Sequence, residues 1–329
     1  MKCNLFKGKS NNKKNQLITK DKGLPFTKEI SKKRTLYLMM LPGLLFFFIF
    51  HYLPMIGVVI AFQDFDPVKG LFGSKWIGLK NFEFFFKSDA MATVTFNTIF
   101  YNVIFIVTGL GLSVLFAILF FETGSKILTK TYKSIMLIPY FMSWIVMQYV
   151  LTAFLNMDSG ILNKILQTFG IEPVNWYWEA SYWRWIFPIA YLWKVVGYYS
   201  VIFVAGITGI STEYYEAAKI DGASKIKQVR YITIPLLMPI VITLFLLQAG
   251  KIFYGGLGDW SMFFTLPNET GFLLETTDVI DTYVLRALRG MNEPGMAAAV
   301  GLYQSLVGLI LVTFSNYLVR KYDKDSALF

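Results

Sequence analysis

One short run has the residue types and spacing for a specific contact: Glu216-Ala217-Ala218-Lys219-Ile220-Asp221-Gly222-Ala223, followed by Ile232-Thr233-Ile234-Pro235 and then a long apolar segment. Ser211 or Thr212 can cap a helix start by accepting from a free backbone N–H. The helix runs from Glu213 to Lys219, Asp221 favours a turn, and Gly222 can take the left-handed conformation that ends it. Ser224 can begin a second short helix, Lys225 to Tyr231, before Pro235 starts an apolar span. The expected product is two short helices joined by a tight turn and lying along a membrane surface. Ala217, Ala218, Gly222 and Ala223 keep that surface low, so the backbone can sit deep in a partner's groove. Glu216 supplies a charge-assisted bond that fixes register. The chemistry is that of a close protein contact; the plainer reading is an Ala-rich loop.

Reacting groups are scarce. Gly8-Lys9-Ser10 ends like a phosphate-binding loop, but Cys3 stands where its first glycine belongs and no strand precedes it. His51 and Cys3 are the only residues of their kinds, so no metal site is expected and no intrachain disulfide can form. No Ser/His/Asp or Cys/His set suited to a membrane hydrolase is apparent. Two cations fall inside apolar runs, Lys194 and Lys251. In lipid each must face a polar cavity, snorkel to an interface, or meet carbonyls or an acid. Tyr191, Tyr198, Gln248 and Tyr254 lie near them in sequence. Aromatic faces stack on sugar rings and amide or ammonium donors bond hydroxyls, so these six could line a sugar path; helix packing is the alternative for each.

These residues must be positioned by membrane helices. The chain has 329 residues, 55% hydrophobic and 18% aromatic, more apolar surface than a soluble domain buries. Six runs are long enough to cross roughly 30 Å of hydrocarbon: about 36–62, 93–121, 133–155, 184–210, 236–255 and 296–318. The first lies too far from the N-terminus, and is too long, for a cleaved signal, and is read as retained. Segments 1–35, 122–133, 211–230 and 319–329 carry 21 Lys and Arg against 8 on 63–92, 156–184 and 256–295. Both termini and the Glu216 loop are therefore expected on the cytoplasmic side. Residues 1–35 alone supply +9 of the net +10, a tail suited to anionic lipid rather than nucleic acid. A short amphipathic helix is expected over 161–169. Trp176, Trp178, Trp183 and Trp185 read as an interfacial belt, and 256–295 as an outer segment open to a soluble partner. The spans lack the Asp or Glu that proton-coupled carriers use as relays.

The Glu-Ala-Ala, the Gly six residues after the Glu, and the Ile-x-Ile-Pro resemble the cytoplasmic coupling loop of ABC importer permeases. Ile234 stands where Leu is commoner, a volume-conserving change. Trp76-Ile77-Gly78-Leu79-Lys80-Asn81-Phe82 resembles an element of sugar-importer permeases, and Asp64-Phe65-Asp66-Pro67-Val68-Lys69-Gly70 the branch handling oligosaccharides and complex glycans. The resemblance covers residues 36–325. It implies an all-α polytopic protein with a type I importer permease fold of six transmembrane helices. The parts would be a basic cytoplasmic tail (1–35), a first helix with outer segment (36–92), and the importer transmembrane domain (93–325) with its coupling loop at 211–235. Glu216, Ala217, Ala218, Asp221, Gly222, Ala223 and Pro235 would couple to an ATPase. The implied partners are a second homologous permease, two ATP-binding cassette subunits that bind the ATP and Mg, an extracytoplasmic solute-binding protein, the sugar and the lipids of a bacterial plasma membrane. This chain itself would bind no cofactor. A secondary transporter and a membrane-embedded glycan-modifying enzyme are the alternatives from other classes.

Overall fold

The computed structural model describes residues 33–123, 126–253, 261–322 and Ala327. It divides into two compact units, 1–57 and 58–329. In the first, helix α1 (Arg34–Phe47) accommodates Pro42 without stopping. It continues through a π turn (Phe48–Tyr52) into a 3-10 stretch (Leu53–Phe62) that contains Pro54, so the regular ladder changes pitch before that proline removes a donor.

The second unit begins at Val58, inside that 3-10 stretch, and continues with a two-residue antiparallel pair, β1 (Gln63–Asp64) on β2 (Lys75–Trp76), enclosing the short α2 (Gly70–Gly73). The Trp76-to-Phe82 element holds this hairpin. Trp76 stacks on Phe62 with centroids 5.5 Å apart, and Asn81, on α3 (Lys80–Phe86), donates to the carbonyls of Ala61 and Gln63 at 3.0 Å each. At the tip the Val68 N–H and Lys69 hold the Asp66 carboxyl below the usual carboxylate range.

Among the described residues five helices are long and apolar enough to cross a membrane, and a bent pair brings the number to six when its two arms are taken as one span. The central pair is α4 (Asp89–Glu122) and, past the bent pair α5 (Lys126–Leu137) and α6 (Trp144–Leu155) and the amphipathic α7 (Ile161–Thr168), α8 (Ala180–Thr208). They approach closely where side chains are small: Ser113 Oγ donates to Gly109 O on its own helix and to Val196 O across the interface, at 2.6 and 3.3 Å. Close backbone approach of this kind is how membrane helices associate when lipid supplies no hydrophobic drive. At about 50 Å, α4 outreaches the bilayer core. Its N-terminal part is gripped by the segment after the fifth span. Asn97 Nδ2 donates to Glu275 O and Asp278 O at 3.0 and 2.9 Å, and the Tyr101 hydroxyl to Thr276 O at 2.6 Å.

The expected third span over 133–155 is bent. Its first arm, α5 extended by a 3-10 turn (Ile138–Phe141), and its second, α6, are bent by 102° at Met142 and Ser143. Pro139 has no N–H to continue α5, and Ser143 restarts the chain as an N-cap, accepting from Val146 N at 3.3 Å. The tryptophan belt is corrected in part. Trp178 and Trp185 are exposed, but Trp183 is fully buried and donates to Trp176 O, while Trp176 bonds Asn163. Asn163 is a buried hub: Nδ2 donates to the carbonyls of Met157 and Val174, and Oδ1 accepts from Val174 N and Trp176 Nε1, all within 3.1 Å. Asn163→Ala strands these groups, each worth about 1–3 kcal/mol. It should lower the unfolding midpoint of the purified complex by several degrees, with Lys164→Ala, an exposed neighbour, as the silent control.

Candidate functional site

The Glu216 run folds as the helix α9 (Thr212–Ile220), capped by Ser211, whose Oγ accepts from Glu213 N at 3.3 Å. Its end is a complete Schellman motif. Ala223 N donates to Ala218 O at 2.8 Å, Gly222 N to Lys219 O at 3.0 Å, and Gly222 sits at φ +73°. Only a residue without Cβ adopts that conformation freely. A Cβ there would meet no described atom within 4 Å, so the demand for glycine comes from the backbone and not from packing within this chain.

The second helix is not separate. Helix α10 (Lys225–Gln228) runs through a π turn (Val229–Thr233) into α11 (Ile234–Ala249), one continuous helix over Lys225–Ala249. The expectation of two short helices along the surface is thus corrected: one is short, and the other is the beginning of the fifth span. Pro235 follows the wider turn, whose altered bonding tolerates its missing N–H. The turn at Gly222 therefore lies three residues before the start of that span.

The loop is fastened from behind. Lys225 Nζ pairs with Glu122 Oε2 at the end of α4, 2.7 Å apart. The Tyr215 hydroxyl lies 3.0 Å from Thr233 Oγ1, and buried Gln228 donates to Ala223 O at 3.0 Å. Its front stays open: Glu216, Ala217, Asp221 and Gly222 are exposed and Ala218 and Ala223 half-buried. Two side chains that sequence reasoning passed over flank the turn, Ile220 at 87% and Ile226 at 80% exposure. The result is a surface of small residues with two bare isoleucines beside the turn.

The proposed sugar-path residues disperse. Tyr191 is core, stacked on Phe105 with centroids 4.0 Å apart. Lys194 reaches the elbow of the third span, donating to Tyr140 O at 3.0 Å and to Met142 O. Tyr198 stacks face to face on Tyr140, 4.1 Å between centroids. Gln248 is buried, its side chain bonded to the Tyr199 hydroxyl and its Oε1 without a partner among the described residues. Lys251 is corrected: it lies beyond the end of α11 in an exposed turn and not inside a span. Tyr254 lies outside the described residues.

The chain beyond that turn forms α12 (Ser261–Thr265), α13 (Leu274–Thr277), α14 (Ile280–Arg289) and the last span α15 (Pro294–Tyr322). Its acids are not all presented outward. Glu269 and Glu275 are exposed, but Asp278 is buried against Arg286, Nη1 to Oδ1 at 3.1 Å, and Asp281 accepts from Gln304 at 2.8 Å.

A helical membrane domain with a surface-borne helix–glycine turn rooted in the fifth span is the arrangement of importer permeases. The chain belongs to the family of binding-protein-dependent transport system inner membrane components, whose model matches residues 109–324. It is a multi-pass membrane transporter subunit. It is 30% identical over 309 residues, 94% of this chain and 95% of the other, to the polygalacturonan/rhamnogalacturonan transport system permease protein YteP of Bacillus subtilis (strain 168). It is also 28% identical over 290 residues, 87% and 88% of the two chains, to the arabinooligosaccharides transport system permease protein AraP of the same organism. Among solved structures it resembles a bacterial ABC transporter involved in the import of the acidic polysaccharide alginate, with a TM-score of 0.82 and 28% identity, covering 90% of this chain and 99% of that one.

The turn geometry makes a direct forecast. Gly222→Val must leave the left-handed region or pay for it, at about 1–2 kcal/mol. Amide exchange at Gly222 and Ala223 should then quicken, whereas Gly222→Asn, which tolerates that region, should stay close to the parent.

Proposed function

We propose that this chain is one of two permeases in an ATP-driven importer of oligosaccharides. A solute-binding protein delivers the sugar on the outer side and two ATP-binding cassette subunits work on the cytoplasmic side. The observation that carries the reading is the Glu216-to-Gly222 knob: exposed in front, braced behind, and continuous with a span. The sequence resemblance and the sugar-transporting relatives support the substrate class, and an alginate transporter of the same fold solved with an alginate pentasaccharide-bound periplasmic protein supports the receptor. The charge asymmetry of the connecting segments supports cytoplasmic termini.

In this reading the knob seats in a groove of one ATPase, with Glu216 fixing its register and Ile220 and Ile226 filling apolar recesses. Closure of the ATPases on ATP and Mg, which this chain does not itself hold, displaces the knob. The continuous helix through the π turn tilts the fifth span against α8, where Gly206 lets Ile240 and Leu237 approach. Rocking of one helix bundle against its counterpart in the second permease exposes the path first to one side and then to the other. Tyr198 and Gln248 are the residues proposed to meet sugar hydroxyls or ring faces. Gln248 contributes the acceptor that the described residues leave unfilled.

The test is transport by the complete importer in liposomes. Uptake of labelled oligosaccharides should require ATP and the binding protein together and should vanish without either. Uptake driven by an ion gradient alone would mark a secondary transporter and contradict the proposal.

A further inference from the structure

We propose that Lys194 is a positioning residue for transport, the pin that holds the elbow of the third span, and that it is not a ligand of the sugar; the link to transport rests on the importer reading above. The elbow leaves carbonyls just beyond α5 without a following helical turn, because the chain leaves the 3-10 turn at Met142 and bends by 102° before Ser143 caps α6. In hydrocarbon each unpaired carbonyl is costly, and irregular backbone persists only where protein groups or a wet cavity serve it. Lys194 lies midway along α8, far from either end of that span. Its ammonium donates to Tyr140 O at 3.0 Å, to Met142 O, and more distantly to Pro139 O at 3.5 Å. Three N–H donors meet three carbonyls of one bend.

The same face of α8 completes the clasp. The ammonium also lies 5.1 Å from the centroid of the Trp144 ring, the first residue of α6. One turn on, Gly197 admits the end of α5 so closely that a Cβ would sit 1.9 Å from Met136 O. Beside it Tyr198 stacks on Tyr140 at 4.1 Å with rings within 5° of parallel. Lys194, Gly197 and Tyr198 share one helical face by their spacing. Together they hold the last turn of one arm, the bend, and the start of the other arm. The arms belong to different surroundings: α5 packs on α4 and α8, and α6 on α7 and α12. A pinned elbow transmits tilt of α8 to both arms as one body, whereas an unpinned one lets them move separately.

The experiment places spin labels at Ile127→Cys and Phe154→Cys, both exposed, in a Cys3→Ser background within the assembled importer. At 1.5 Å per residue a straight helix would separate the labelled backbones by about 40 Å, whereas two arms bent by 102° leave them roughly 25 Å apart. The parent and Lys194→Arg, which keeps the donors, should give the short distance and retain uptake. Lys194→Met, which keeps the length and loses the donors, should shift the distribution toward the long distance and lose most uptake. A long distance in the parent, or an unchanged short distance in Lys194→Met, overturns the proposal; if uptake is lost in the latter case, Lys194 touches the sugar instead. Should Lys194→Met fail to assemble, Lys194→Arg decides: the short distance with uptake supports the pin, and a lengthened distance rejects it. If the parent shows no ATP-dependent sugar uptake while the distances behave as stated, the importer reading fails and the elbow assignment stands.

Discussion

Backbone N–H and C=O groups at membrane depth have no water to bond, and this constraint shapes nearly every feature of the chain. Where the helices run unbroken they satisfy themselves. Where they do not, a side chain from another helix intervenes. Lys194 serves the carbonyls at the bend in the third span, and Asn102 on α4 donates to Ile252 O just after the fifth span ends. Asn97 and Tyr101 meet the carbonyls of the segment folded over the end of α4.

The coupling surface follows the opposite logic. Its backbone is satisfied internally by the Ser211 cap and the Gly222 turn, so its side chains are free to be spent on a partner. Small residues at Ala217, Ala218 and Gly222 lower the surface, and Ile220 and Ile226 stand out of it. Lys225 on Glu122 ties this region to α4, and Tyr215 on Thr233 ties the short helix to the start of the fifth span.

Much of this was legible in the sequence, because the signals were local. Apolar runs gave the crossings, and Ser211 and Gly222 gave both ends of the short helix. The amphipathic spacing gave a helix at Ile161–Thr168. What was missed depended on partners distant in sequence. Pro139 and Ser143 together spell a stop and a restart, but inside an apolar run they read as tolerated interruptions until Lys194, 55 residues beyond the proline, is seen serving the bend. Trp183 looked like an interfacial anchor because its type is enriched there, and only packing with Phe187 and Tyr177 shows it to be core. The π turn that joins the coupling region to the fifth span has no sequence signature beyond Pro235, which reads equally well as a helix start.

The central claim is that the Glu216 knob is where ATP hydrolysis reaches the membrane domain. The most direct measurement is to place a photo-crosslinking residue at Ile220 in the assembled importer and identify what it captures. The account predicts a specific adduct with the ATP-binding subunit on the cytoplasmic side, diminished when Gly222→Val displaces the turn. Capture of the extracytoplasmic binding protein, or of lipid alone, would contradict it.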